Sequence, residues 1–138
     1  MYYNKESVIY LDGEWIKAVD AKIDLFSQTL HYGSGVFEGI RAYDSSAGPS
    51  VFKAEAHYKR LLYSAKKMGI NMTYSVNELV NLTYKLLDKN NLVNAYIRPL
   101  VFLGANMKLA KTFETHLMLA AWQWEPYSGD DPLRVMVS

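Results

Sequence analysis

An α+β domain, a mostly antiparallel sheet with two main helices packed on it, is what the 138-residue sequence predicts. Three observations carry the prediction. A hairpin signature stands near the start, two helical stretches fill the middle, and two strongly apolar strand patterns follow them. Strands clustered around two helices make a sheet with a helical layer on it.

Taken in order, Val8-Ile9-Tyr10-Leu11 and Glu14-Trp15-Ile16 flank Asp12-Gly13, a dipeptide suited to the tight turn between paired strands. Lys22 to Leu30 reads as irregular. Phe37 to Tyr43 reads as a strand, and the turn-rich run Asp44 to Ser50 leads into Val51-Phe52 as another hairpin. Lys53 to Met68 reads as a helix with Leu61, Leu62, Ala65 and Met68 as its apolar stripe. Ser75 and Glu78 have capping-box spacing and start a second helix running to about Asp88. Asn94 to Phe102 and His116 to Trp124 are apolar strand patterns. Glu125 to Pro132 has linker composition, and Leu133 to Val137 opens a new strand pattern. The expected division is one small domain over 1–125 and, over 126–138, an interdomain linker and the start of a further domain.

Half of the chain is hydrophobic and 21% is charged, an ordinary globular balance and enough chain for a core without disulfides or metal. The formal net charge is +1 and its lysines and arginines are dispersed, so nothing points to nucleic acid. Absence of cysteine excludes a disulfide framework and thiolate chemistry and fits a reducing cytoplasm. No apolar run approaches the ~20 residues of a membrane span and no signal-like segment opens the chain, so the expected setting is cytoplasmic, away from membranes. His31, His57 and His116 lack metal-ligand spacing. Tyrosine is the outlier at 11 copies, read mostly as half-buried strand residues at a subunit interface.

The run His31-Tyr32-Gly33-Ser34-Gly35-Val36-Phe37-Glu38-Gly39-Ile40-Arg41-Ala42-Tyr43 is the most informative stretch. Past Gly35, alternation places Phe37, Gly39, Arg41 and Tyr43 on one strand face and Val36, Ile40 and Ala42 on the other. An aromatic wall, a bare backbone and a cation are poor core material. They suit a small apolar molecule with an anionic end. Glu38 alternates away from Arg41, and the sequence assigns it no role.

This run resembles the signature of branched-chain amino acid aminotransferases, in the fold-type IV family of pyridoxal 5'-phosphate (PLP) enzymes. The resemblance extends to His57-Tyr58-Lys59-Arg60-Leu61, similar to the family's H-x-x-R-L segment, and to Tyr96-Ile97-Arg98-Pro99. Taken alone, Arg60 beside Lys59, Lys66 and Lys67 reads as a solvated basic face. The resemblance implies that it holds the cofactor phosphate, which a guanidinium's fork of donors matches. Arg98 shares a face with Tyr96, Leu100 and Phe102, and an arginine there needs an anionic partner. The residues alone leave a structural salt bridge open, whereas the resemblance implies that Tyr96 and Arg98 bind substrate carboxylates. Pro99 cannot donate to a sheet ladder, so its strand is expected at an edge or bulged.

The resemblance also implies a substrate pocket with Tyr32, Gly39, Arg98 and Tyr127 at its polar end, Phe37 and Trp124 as apolar walls, and Arg41 nearby. Arg60 and Arg98 are expected to open on one shared concavity. The loop Gly104 to Leu109 corresponds to one that reaches the neighbouring subunit's site, with Met107 and Leu109 as its candidate contacts. It is less glycine-rich than the family's version. Transamination needs a lysine that joins the cofactor. In the family that lysine lies in the second domain, so no catalytic residue is assigned here and the chain by itself is expected to be inactive. Implied partners are branched-chain amino acids, their 2-oxo acids and glutamate, in a homodimer or higher homo-oligomer. D-amino acid transaminases and aminodeoxychorismate lyases share the scaffold and are rival readings. A non-catalytic small-molecule binding domain is the rival from another class.

Overall fold

A computed structural model describes residues 2–108, 114–124 and 136 of the chain. Candidate residues Leu109 and Tyr127 lie outside the described residues, as does the segment 126–138 except Met136.

The first hairpin forms as expected, with β1 (Val8–Leu11) pairing β2 (Glu14–Lys17). Its turn needs positive φ at both central residues, and Asp12 and Gly13 adopt 49° and 100°. A five-residue helix, α1 (Gln28–Tyr32), then begins inside the stretch Lys22 to Leu30 expected to be irregular. It is too short to print a periodic pattern. Gly33 stops it in the left-handed region at φ 68°.

Strands β3 (Gly35–Phe37), β4 (Ile40–Tyr43) and β5 (Ser50–Val51) precede helices α2 (Ala54–Lys67) and α3 (Val76–Lys89). Ser75 and Glu78 make the expected reciprocal capping box at the start of α3. The stripe of α2 is Tyr58, Leu61 and Ala65. Met68, expected on it, is the cap residue beyond the last turn and is exposed. The long strands β6 (Ala95–Leu103) and β7 (Thr115–Trp122) complete the fold.

Among the described residues seven strands form one antiparallel sheet in the order β2-β1-β7-β6-β4-β5, with β3 also on β6. Strand β6 alternates strictly, with Ala95, Ile97, Val101 and Leu103 buried. These residues, with Ile40, Ala42, Leu117 and Leu119, share the core with Tyr58 and Leu61 of α2 and Leu79, Leu86 and Leu87 of α3. Each fully buried leucine contributes about 1.5–3 kcal/mol. The Tyr58 and Thr83 hydroxyls pair inside this layer and tie the helices together. Tyr96, Arg98, Leu100 and Phe102 stand on the other face, away from the core that α2 and α3 share with the sheet.

Strand β6 is central, which corrects the edge expected from Pro99. On one side it pairs β7 without interruption from Tyr96↔Trp122 to Leu103↔Thr115. On the other, Phe37↔Leu100 and Ile40↔Ile97 keep one register across β3 and β4, which sets Glu38 opposite Pro99. The Glu38 N–H donates to the Pro99 carbonyl at 3.2 Å, and Pro99 has no N–H to return. The missing donor therefore splits the strand expected over 37–43 at Glu38-Gly39 and leaves the β7 side intact.

Candidate functional site

The interruption at Glu38-Gly39 is where the candidate residues gather. Successive residues point to opposite faces, so Glu38 enters the helical layer and Gly39 faces the open side.

On the open side, Arg98 lies beneath Phe37, its guanidinium carbon 4.4 Å from the ring centre, and 5.3 Å from the Tyr96 ring. Its Nη2 donates to the Tyr96 hydroxyl at 2.8 Å. Its Nε is buried with no partner among the described residues, and no carboxylate pairs with it there. The anionic partner that its setting demands is thus not supplied by the described residues. A permanently charged group held by ring faces and one neutral hydroxyl has the chemistry to receive an anion.

Gly39 lets the Tyr96 ring lie close against the backbone beside Arg98. A Cβ at Gly39 would collide with the Tyr96 hydroxyl and come within 3.0 Å of Cζ. Tyr96 belongs to an aromatic group with Trp122 (5.0 Å between ring centres) and Trp124 (5.4 Å), and Tyr2 stacks on Trp124 at 5.8 Å. Trp122 and Tyr2 were not among the expected site residues. Alternation puts Trp122 on the same face as Trp124, and the register of the structure sets it across from Tyr96. Its indole Nε1 is buried without a partner among the described residues. It also lines a cavity of about 470 Å³ together with Tyr2, Asn90 and Gln123.

Arg41 opposes Tyr96 in the register, and its Nη2 donates to the Trp124 carbonyl at 3.1 Å. It anchors the chain just past β7. Phe37 is 59% exposed and forms an open wall.

Tyr32 and Met107 are not brought to Arg98. Tyr32 ends α1, exposed, with its ring beside His31. Met107 is exposed in the loop after β6. That loop is tied to the segment before α1, where Asn106 N–H donates to the Phe26 carbonyl at 3.2 Å.

On the helical side, Arg60 of α2 is 64% exposed and Glu38 only 7%. Arg60 Nε donates to Glu38 Oε1 at 2.5 Å and Nη2 to Oε2 at 2.6 Å. His57, one turn earlier, places Nδ1 3.0 Å from Oε2. The hydrogen bonds from Arg60 hold the Glu38 carboxyl below the usual carboxylate range against the opposing effect of burial, and Glu38 raises Arg60 in turn. Arg60 thus reaches the interruption from the helical side, through Glu38, and Arg98 approaches it from the open side, beneath Phe37. The sequence assigned Glu38 no role because its partners come from α2.

The amino-transferase class IV family model matches residues 35–138. The chain belongs to the class IV aminotransferases. It is 42% identical over 133 residues to the branched-chain-amino-acid aminotransferase of Pseudomonas aeruginosa, covering 95% of this chain and 43% of that protein. Its structure superposes on the crystal structure of the Escherichia coli branched-chain amino acid aminotransferase with a TM-score of 0.83 at 40% identity, covering 91% of this chain and 42% of that one. A T.th. branched-chain amino acid aminotransferase, complexed with N-(5'-phosphopyridoxyl)-L-glutamate, matches with a TM-score of 0.79 at 35% identity, over 87% of this chain and 41% of that one. This class IV aminotransferase chain thus spans less than half the length of these relatives.

Proposed function

We propose that the protein to which this chain belongs is a PLP-dependent branched-chain aminotransferase, exchanging amino groups between leucine, isoleucine or valine and 2-oxoglutarate. The observation that carries the reading is Arg98, a cation set among aromatic rings with a buried, unpartnered Nε. The relatives' names supply the reaction, and the phosphopyridoxyl-glutamate complex supplies the ligand chemistry.

The residues present fit such a cofactor. Arg60 is exposed and fixed by two hydrogen bonds to Glu38, and its Nη1, free of hydrogen bonds among the described residues, is left for a phosphate oxygen. Bound there, PLP would supply the electron sink for breaking the bond to the amino acid's α-hydrogen. Arg98 and the Tyr96 hydroxyl hold the distal carboxylate of glutamate. Phe37, Tyr96 and Trp124 give an aliphatic side chain an apolar wall in its place, and Gly39 leaves the room for either. One pocket thus serves both substrates, because the cation is screened by rings when no carboxylate reaches it.

No catalytic residue is assigned to this chain. We assign 1–125 to a small domain and 126–138 to the linker and start of a second one, which brings the lysine, and the chain by itself is inactive. Tyr32, Met107, Leu109 and Tyr127 remain proposed substrate contacts. We also propose a homo-oligomer. Its support is a row of exposed apolar side chains at Leu25, Phe26, Leu30 and Tyr32 beside Met107, a patch that asks for cover. Tyr32 and the Met107 loop, remote from Arg98, would serve a neighbouring subunit's site.

The test is glutamate formation by the complete protein from leucine and 2-oxoglutarate with PLP. Transfer from L-leucine is expected. Transfer from D-alanine alone, or none with either donor, overturns the reading.

A further inference from the structure

We infer that Glu38 is a positioning residue. It fixes the plane of the Arg60 guanidinium so that its outer edge is preset for a phosphate. The inference rests on the reading of Arg60 as the phosphate holder and adds how that grip is built.

The pair is asymmetric. Glu38 is nearly sealed from water and Arg60 is largely exposed. An ion pair whose purpose was stability alone would carry the desolvation of Glu38 for little return, since its partner stays solvated. What the geometry delivers is orientation. Two donors on one edge of the guanidinium, Nε and Nη2, meet the two oxygens of one carboxylate, which leaves the planar group no freedom to spin. Nη2 also lies 3.3 Å from His57 Nδ1, and Nη1, on the edge away from the carboxylate, makes no hydrogen bond among the described residues.

The carboxylate is itself held. Its backbone stays on the sheet through the Glu38 N–H to Pro99 carbonyl bond, at the point where the ladder is broken. His57 Nδ1, from the same helix face as Arg60, braces Oε2. Arg60 therefore stands on a helix and is aimed by a sheet. An arginine of this length left free would lose rotamer freedom on meeting its ligand, and a pre-aimed one loses less.

The experiment compares binding of PLP and of pyridoxal, which lacks the phosphate, to the cofactor-free complete protein. The ratio of the two dissociation constants isolates the phosphate grip from everything else the pocket does. Arg60→Ala is expected to collapse the ratio. Glu38→Gln is expected to lower it by about tenfold, the order of one charge-assisted hydrogen bond, and to add nothing in the Arg60→Ala background. A structural role would lower the melting temperature and weaken both ligands alike, leaving the ratio untouched, and that outcome overturns the inference. An unchanged ratio in Arg60→Ala overturns the phosphate reading itself, so the two failures are distinct. Where Glu38 variants do not fold, a crystal structure of the PLP-bound protein decides. Phosphate oxygens on the outer edge of Arg60, with the Glu38 pair intact, support the inference, and a guanidinium turned away from Glu38 overturns it.

Discussion

Replacing Gly39 by alanine tests the open face most sharply, because the backbone at Gly39 has no left-handed φ and the effect comes from space alone. The new Cβ would overlap the Tyr96 hydroxyl, lie 3.0 Å from Cζ and 3.3 Å from Cε2. The ring must swing away, and it carries the hydrogen bond from Arg98 Nη2 and the contacts to Trp122 and Trp124. Overpacking of this kind costs about 1–3 kcal/mol. On the complete protein that is a fall in melting temperature of about 2–5 °C. The functional loss is expected to be larger than the stability loss suggests, since Arg98 then has neither Nε nor Nη2 partnered. The KM for glutamate should rise by about tenfold, one hydrogen bond to a charged group. Adding Tyr96→Phe removes the overlapping oxygen and should restore most of the stability but none of the glutamate affinity. An alanine variant with unchanged melting temperature and unchanged KM would refute the packing of Gly39 against Tyr96.

Two further outcomes follow from the fold. Ser75→Ala removes half of the capping box at α3, whose side chain accepts the Glu78 N–H at 3.2 Å, and should destabilise by about 1 kcal/mol in thermal unfolding without altering amino transfer. Acid should loosen the Glu38 clamp. Its carboxyl is held below the ordinary value of 4.5, so its stabilisation is present above that value and is lost as pH falls through the lower, native one. Melting temperature measured down the acid range should therefore drop less steeply in Glu38→Gln than in the native protein, and parallel curves would contradict the clamp.

How much was legible in the sequence depended on the range of the interaction. Alternation was readable within each strand, with Phe37, Gly39, Arg41 and Tyr43 on one face and Tyr96, Arg98, Leu100 and Phe102 on another, and the register joins the two groups on one side of the sheet. The cap at Ser75 is a three-residue relation and was equally readable. Pro99 gave half an answer. A missing N–H demands a break in the ladder, but the sequence does not say which neighbour takes it, and here the neighbour breaks while β6 stays central. Glu38 was unreadable because its partners, Arg60 and His57, arrive only when α2 docks on the sheet. The α1 helix left no trace because five residues make little more than one turn.

The central claim is that Arg98 receives the carboxylate that distinguishes glutamate from leucine. The most direct measurement is the single-turnover rate constant, per concentration of amino acid, for Arg98→Ala with each of the two substrates. The account predicts that glutamate loses about a hundredfold, the upper range for a hydrogen-bonded charge pair, while leucine changes little. Equal losses for both substrates would contradict it.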